Sequence, residues 1–242
     1  MNLNLLLASS SRCHPHGYLG HCESELKQLF EGKNEIIFVP FARPAGMSHD
    51  EYTETARERF HQIGFEMKGL HQFNDPVQAV DSAEGIFVGG GNTFVLLRDL
   101  YQLNLMEVLR RRIQEGMPYM GTSAGSNIAG LSIGTSNDMP IVHPPSFDAL
   151  AVVPFNINPH FPAEKPDPKH HGETREQRIA EFHHFNDQEV VCLYEDGMLQ
   201  IRNNEIALVG NRPALVMQKN GETISLSPGN ISAELSLDWN SN

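Results

Sequence analysis

The sequence predicts an α/β fold: a mostly parallel sheet flanked by helices, with antiparallel hairpins at the C-terminal end. Three observations carry this prediction. Short apolar runs alternate with longer amphipathic stretches through the first half, glycine-rich turns follow two of those runs, and turn signals separate alternating runs near the end. Strands that alternate with helices form βαβ units, which build parallel sheets covered by helices.

The first half divides into regular elements by its hydrophobic spacing. Helices are predicted where apolar residues recur every three or four positions, and strands where apolar runs are short and continuous. Ser48 or Asp50 caps the second helix. The predicted strands are 3–8, 35–42, 64–70, 84–92 and 118–121, and the predicted helices are 23–33, 48–64, 76–83, 93–102 and 105–116.

The second half changes in pattern. Strands are predicted at 155–161 and 189–195, and a helix at 174–185 opens with Thr174 and Gln177 spaced as a capping box. Hairpin signals lie at 202–205, 219–222 and 227–230. No repeat or linker interrupts the chain, so we expect residues 1–242 to form a single α/β domain.

Composition excludes several classes of protein. The formal net charge of -12 disfavours nucleic acid and anionic membrane surfaces, because both need a basic face. Three cysteines, an odd and small number, imply no disulfide framework and fit a reducing compartment. The N-terminal residues lack the basic start of a signal peptide, and no apolar run has the length of a membrane span. We therefore expect a cytoplasmic location.

The stretch Gly-Thr-Ser-Ala-Gly at 121–125 fits the pattern of a nucleophile on a strand-to-helix turn. Small neighbours give the sharp turn room, and the turn exposes the Ser123 hydroxyl at the carboxyl ends of the strands. An alternative is that Ser123 only caps the following helix. A second glycine cluster, 89–91, could place the Gly90 amide with that of Ala124 in an oxyanion hole; a nucleotide site is the weaker reading of this cluster.

A serine nucleophile needs a base and an orienting acid. Among twelve histidines, His160 stands at the end of a predicted strand, where the sheet places its loops. Two acids could reach its ring. Asp138 lies in a polar turn, and Glu195 ends the predicted strand 189–195.

Several longer segments resemble one family. "GGGNT", "GTSAGSN", "SNDMPIV", "INPHF" and "GETREQRI" occur in the order and at the spacing found in the peptidase E family. The resemblance covers nearly the whole chain. It implies a serine peptidase with a class I glutamine amidotransferase-like fold that cleaves Asp-X dipeptides, needs a free amino terminus, and uses no metal or other cofactor. A homodimer stays open, since the sequence does not reveal the oligomeric state.

The resemblance also implies residue roles. Ser123 matches the nucleophile, His160 the base, and Asp138 the acid usually named, with Glu195 a rival; we favour Asp138. Arg175 is the expected partner of the substrate's aspartate side chain, although it could instead pair with Glu173 or Glu176.

The sequence departs from the family at two places, and rival interpretations follow from its motifs. Thr122 stands where close relatives are expected to have Trp, and the loop 162–173 differs in sequence and has one extra residue.

Rival interpretations are a cyanophycinase that cuts β-Asp-Arg polymer, an α/β-hydrolase esterase, and a binding module without activity. The esterase needs longer intervals within its triad than Ser123, Asp138 and His160 provide.

Overall fold

The computed structural model describes residues 2–163, 172–235 and 239. Its helices are α1 Glu23–Leu29, α2 His49–Gln62, α3 Pro76–Asp81, α4 Thr93–Gln102, α5 Leu105–Gln114, α6 Ala124–Asn127 and α7 Arg175–Phe185, with 3-10 turns at Gly20–Cys22 and Leu70–Gln72. Its strands are β1 Asn4–Ala8, β2 Glu35–Val39, β3 Glu66–Gly69, β4 Ile86–Val88, β5 Tyr119–Thr122, β6 Asn156–Asn158, β7 Val190–Cys192, β8 Met198–Arg202, β9 Glu205–Val209, β10 Ala214–Met217, β11 Thr223–Leu226 and β12 Gly229–Asn230.

The larger of two sheets has eight strands in the order β12-β9-β8-β1-β5-β4-β2-β3. The five strands from β1 to β3 in this order are parallel, and β8, β9 and β12 extend the sheet antiparallel. The predicted fold class, a mostly parallel sheet flanked by helices, is confirmed at this level. The carboxyl ends of β1, β2, β4 and β5 meet at one edge, where open α/β sheets bind ligands.

Alternating side chains of the central strands build a hydrophobic cluster on each face of this sheet. On β1, Leu5 and Leu7 pack with α4 and α5, whereas Leu6 and Ala8 pack with α1 and α2. Because successive strand residues point to opposite faces, a strand with both faces covered is apolar throughout. This explains the continuous apolar run of β1, which is fully buried from Leu5 onward.

A smaller sheet of four strands has the order β11-β10-β7-β6. Its β6 and β7 are parallel, and β10 joins β7 and β11 antiparallel. The sequence predicted these strands but not their separation into a second sheet. Helix α7 precedes β7, and the predicted capping box is confirmed, because Thr174 and Gln177 bond each other's backbone amides.

Two of the three hairpin predictions are confirmed. Asn203 and Asn204 join β8 to β9 with φ of 49° and 70°, the left-handed turn that twisted hairpins favour. Residues 219–222 join β10 to β11. The third prediction, at 227–230, is wrong: Gly229–Asn230 is itself β12 and pairs with β9 of the larger sheet. Among the described residues, no helix has both the length and the apolar character needed to cross a bilayer.

Candidate active site

Ser123 stands on the turn between β5 and α6, with φ of 52° and ψ of -110°. A non-glycine residue in this region is strained and persists only where its surroundings impose it. Neighbouring glycines make the turn sterically feasible. A Cβ atom on Gly121 would lie 2.5 Å from the backbone of Gly125, and one on Gly125 would lie 2.3 Å from the carbonyl oxygen of Val88. The Ser123 amide donates to the carbonyl of Ala8 at 3.1 Å, which fixes the turn to β1.

His160 presents its ring to this serine. Its Nε2 atom lies 2.8 Å from Ser123 Oγ, within the range in which a base can take the hydroxyl proton. The residue follows β6 and has a left-handed backbone, with φ of 56°. The backbone amide of His160 donates to Ser9 Oγ at 2.8 Å. Ser9 Oγ in turn donates to the carbonyl of Leu193 at 3.1 Å, so one buried hydroxyl positions the histidine backbone.

Glu195 completes this series of hydrogen bonds. Its Oε1 atom lies 2.8 Å from Nδ1 of His160, and its side chain is 57% exposed. The hydrogen bond to His160 holds the pKa of the Glu195 carboxyl below its ordinary value, while partial burial opposes the shift. An ionised carboxylate at Nδ1 favours the tautomer that leaves Nε2 free to accept the serine proton.

Asp138, the acid favoured from sequence, makes different contacts. Its Oδ2 atom accepts from the amide and hydroxyl of Thr93 at 2.8 and 2.6 Å, and from Ser136 Oγ at 3.2 Å. Asp138 therefore holds its loop against the first residue of α4. No hydrogen bond joins it to His160, and its Oδ1 atom receives none from the residues that the structure describes.

A cavity of about 400 Å³ opens beside Ser123, and we call it the Ser123 cavity. It is lined by two arginines discussed below and by Ser123, His160, Asp138, Gly90 and Gly91. Gly90 lies close to Ser123, since a Cβ atom on it would be 3.0 Å from Ser123 Cβ. Within the described ranges, the amides of Gly90 and Ala124 donate to no protein acceptor, so both are available to a ligand.

Arg175 occupies the first position of α7 and does not line the Ser123 cavity. Its Nη1 atom is buried and has no hydrogen-bond partner among the described residues. Burial lowers the pKa of its guanidinium, the nearby Arg178 lowers it further, and the carboxylate of Asp138 opposes these effects. The alternative pairing with Glu173 or Glu176 is not seen among the described residues, and Glu173 contacts Arg178 instead, at 3.8 Å.

Several features differ from the expectations from sequence or lie outside them. Ser9 was missed, although a polar residue directly after a buried parallel strand is a signal for the edge where loops build a site. The predicted difference in the loop 162–173 falls largely on 164–171, outside the described residues. Thr122, the other predicted difference, is fully buried on β5 and does not line the cavity. Among the described residues, no group of three or more His, Cys, Asp or Glu side chains could hold a metal ion.

A parallel α/β sheet that carries a serine on a strained turn, next to a histidine bonded to a carboxylate, defines a serine hydrolase. Comparison with known proteins gives the particular family. The pattern of peptidase family S51 matches residues 5–209, so the chain belongs to this family and is a peptidase. The resemblance to peptidase E is thereby confirmed.

Individual relatives agree with this assignment. The chain is 46% identical over 228 residues to a Drosophila melanogaster protein named "Probable alpha-aspartyl dipeptidase", covering 93% of this chain and 94% of that one. It is 41% identical over 233 residues to peptidase E of Streptomyces coelicolor, covering 96% and 95%. A solved peptidase from an acI-B1 Actinobacterium shares the fold with a TM-score of 0.70 at 18% identity, covering 95% and 96%.

Proposed function

We propose that the chain hydrolyses dipeptides with N-terminal aspartate by acyl transfer through Ser123. The observation that carries this proposal is the 2.8 Å contact between Ser123 Oγ and His160 Nε2 on a strained turn beside an open cavity. The substrate class is supported by the names of the relatives, which are peptidase E and alpha-aspartyl dipeptidase.

The first half of the reaction forms an acyl-enzyme. His160 Nε2 takes the proton of Ser123 as Oγ attacks the carbonyl carbon of the aspartyl residue. The amides of Gly90 and Ala124 receive the developing oxyanion, where preorganised donors act most strongly. The imidazolium then gives its proton to the leaving amine, and the peptide C–N bond breaks.

The second half releases aspartate. Water enters, His160 takes one of its protons, and the oxygen attacks the acyl carbon. The ester bond to Ser123 Oγ breaks, and the imidazolium returns a proton to that oxygen. Aspartate leaves with its carboxyl group restored, and the enzyme regains its starting protonation.

We assign the orienting acid to Glu195, in place of the Asp138 favoured from sequence. The support is the 2.8 Å contact of Glu195 with His160 Nδ1, whereas Asp138 bonds Thr93 and Ser136. Asp138 lines the Ser123 cavity, and its Oδ1 atom accepts no hydrogen bond from the described residues. We assign that oxygen to the substrate's free ammonium group, which would account for the need for an unblocked amino terminus.

Arg175 is assigned to the aspartate side chain of the substrate. A guanidinium nitrogen that is buried without a partner is costly, and a carboxylate would compensate it with a directional pair. Asp138 lines the cavity, and its carboxylate opposes the lowering of the Arg175 pKa, although Arg175 itself does not line the cavity. An asparagine substrate would leave the arginine uncompensated, so rejection of Asn-X follows.

Amine release from Asp-Leu, Asn-Leu, N-acetyl-Asp-Leu and β-Asp-Arg, each with a chelator present, tests the function. We expect cleavage of Asp-Leu alone, abolished by Ser123→Ala. Arg175→Gln should lower kcat/KM for Asp-Leu at least tenfold, by the usual strength of a charged hydrogen bond, roughly 1.5–3 kcal/mol. Arg178→Gln is the matched control, since Arg178 is an exposed neighbour on the same helix. Cleavage of β-Asp-Arg but not Asp-Leu would replace the proposal with the cyanophycinase alternative.

Three finer expectations join this proposal. A glutamine amidotransferase-like relationship is supported by the parallel sheet with its strand-to-helix serine turn. A homodimer would first be sought at the loop where Met139 and Ile141 are 74% and 54% exposed, and the mass in solution tests it. The cytoplasmic location is supported by the sparse cysteines and is tested by cell fractionation.

A further inference from the structure

Two arginines that the proposed reaction does not use line the Ser123 cavity. Arg12 follows β1 and Arg43 follows β2, so each extends from a carboxyl end of the same parallel sheet that carries Ser123 on β5. Both residues are exposed. The cavity therefore combines a nucleophile, a base and two permanent positive charges within one space of about 400 Å³.

Aromatic rings hold both guanidinium groups in place. The Arg12 Cζ atom lies 5.5 Å from the centre of the Tyr18 ring, and the Arg43 Cζ atom lies 5.2 Å from that of Tyr52. Tyr52 also donates from its hydroxyl to the carbonyl of Gly90 at 3.2 Å, which links the Arg43 stack to the proposed oxyanion loop. Stacking orients a guanidinium while leaving its N–H groups free to bind an anion.

Neither arginine has an acidic partner among the described residues. Arg59, Arg98 and Arg111, by contrast, each form an ion pair with a carboxylate. The contrast is informative because the chain has 30 acidic residues against 18 lysines and arginines. Two arginines left unpaired in one cavity of so acidic a protein indicate a site for an anionic ligand group.

We propose that Arg12 and Arg43 bind the C-terminal carboxylate of the dipeptide, and that this contact makes the enzyme select dipeptides over longer peptides. The inference rests on the proposed function. A dipeptide Asp-X carries two carboxylates, and Arg175 is assigned to only one of them. The other belongs to the residue whose nitrogen leaves, and backbone dimensions place it about 4 Å from the carbonyl that Ser123 attacks. A longer peptide has an uncharged amide at that position.

The test compares Asp-Leu with Asp-Leu amide, which lacks only the terminal charge. We expect Arg12→Gln and Arg43→Gln each to lower the ratio of kcat/KM for Asp-Leu over Asp-Leu amide roughly tenfold, and the double variant to bring it close to one. Arg202→Gln is the control, because Arg202 is opposite Asn4, at the far end of β1 from the cavity. An unchanged ratio, or equal losses on both substrates, would overturn the proposal.

A binding measurement separates this inference from the function itself. Calorimetry with the Ser123→Ala variant should show Asp-Leu binding about a hundredfold more tightly than its amide, and Arg12→Gln together with Arg43→Gln in that background should remove the difference. Equal binding of the two ligands before the arginines are replaced would refute the carboxylate site, even if hydrolysis is observed. Tighter binding of Asp-Leu without hydrolysis by the wild type would uphold the site and refute the proposed reaction.

Discussion

The Nδ1 atom of His160 is 2.8 Å from the Oε1 atom of Glu195, and the two residues follow neighbouring parallel strands of the smaller sheet. Their distance is fixed by the pairing of β6 with β7, in which Asn158 stands opposite Cys192. The backbone continues this pairing beyond the strands, since the Leu193 amide donates to the carbonyl of Asn158 and the Phe161 amide to that of Leu193. The histidine and its proposed acid are thus positioned by one ladder of backbone hydrogen bonds.

Replacing the proposed acid should lower turnover far more than binding. Glu195→Gln removes the charge that orients and stabilises the imidazolium, and we expect kcat for Asp-Leu to fall by about 100- to 10,000-fold with little change in KM. Asp138→Asn should instead raise KM, because it weakens the proposed ammonium contact. Steady-state kinetics of both variants distinguish the residues, and the reverse pattern would return the role to Asp138.

The shifted pKa of Glu195 predicts a pH dependence of stability. Its folded-state pKa is below the ordinary value of 4.5, so its contribution to the free energy of unfolding is complete above that value. The contribution is then lost as the pH falls through the lower folded-state pKa. Urea unfolding of wild type and Glu195→Gln at several pH values measures it. A stability difference that grows on acidification would contradict the assignment of the shift to the His160 hydrogen bond.

Ser9 is predicted to be a positioning residue for His160. Ser9→Ala removes the acceptor of the His160 amide and the hydroxyl that donates to the Leu193 carbonyl. We expect this loss to cost about 1–3 kcal/mol in the free energy of unfolding. Because the ring loses its backbone anchor, we expect kcat to fall and KM to stay near its wild-type value. Ile206→Val is the control, since Ile206 is fully buried on β9 of the larger sheet and the substitution costs about 0.5–1.5 kcal/mol in stability. An equal loss of activity in both variants would mean that Ser9 acts only through stability.

The turn at Ser123 should not tolerate a larger residue at Gly125. Gly125→Ala places a Cβ atom 2.3 Å from the Val88 carbonyl, so α6 must move away from β4. We expect a destabilisation of about 1–3 kcal/mol, as for other overpacked sites, together with loss of activity. Thermal unfolding and labelling by a serine-reactive fluorophosphonate measure the two effects. Gly17→Ala meets nothing within 4 Å and serves as the control, which should label normally.

Local patterns were sufficient for most of the fold and for the turn that carries Ser123. The strand-to-helix turn at Ser123 is evident from its small neighbours, and α4 begins and ends as its hydrophobic spacing predicts, at Thr93 and Gln102. The short strand β12 was misread because Pro228 and Gly229 are typical of a turn, whereas its pairing partner β9 lies elsewhere in the chain. Long-range pairing of this kind has no local signature.

The choice between the two acids shows the same limit. Asp138 precedes an apolar segment and Glu195 follows one, and both lie in polar loops. The local sequence therefore does not distinguish the two acids. What separates them is that β7 pairs with β6, which brings Glu195 beside His160, while Thr93 and Ser136 engage Asp138. Ser9 went unnoticed for a related reason, since its partner Leu193 is 184 residues away in sequence.

Ser123 belongs to the larger sheet, and His160 with Glu195 follows strands of the smaller one. Catalytic competence therefore reports how well the two sheets are docked, a quantity that circular dichroism does not measure. Side chains of both sheets, among them Leu5 of β1 and Val191 of β7, belong to one hydrophobic cluster, so the sheets should separate only as this shared core unfolds. We therefore expect peptide hydrolysis and the far-ultraviolet signal to be lost at the same urea concentration.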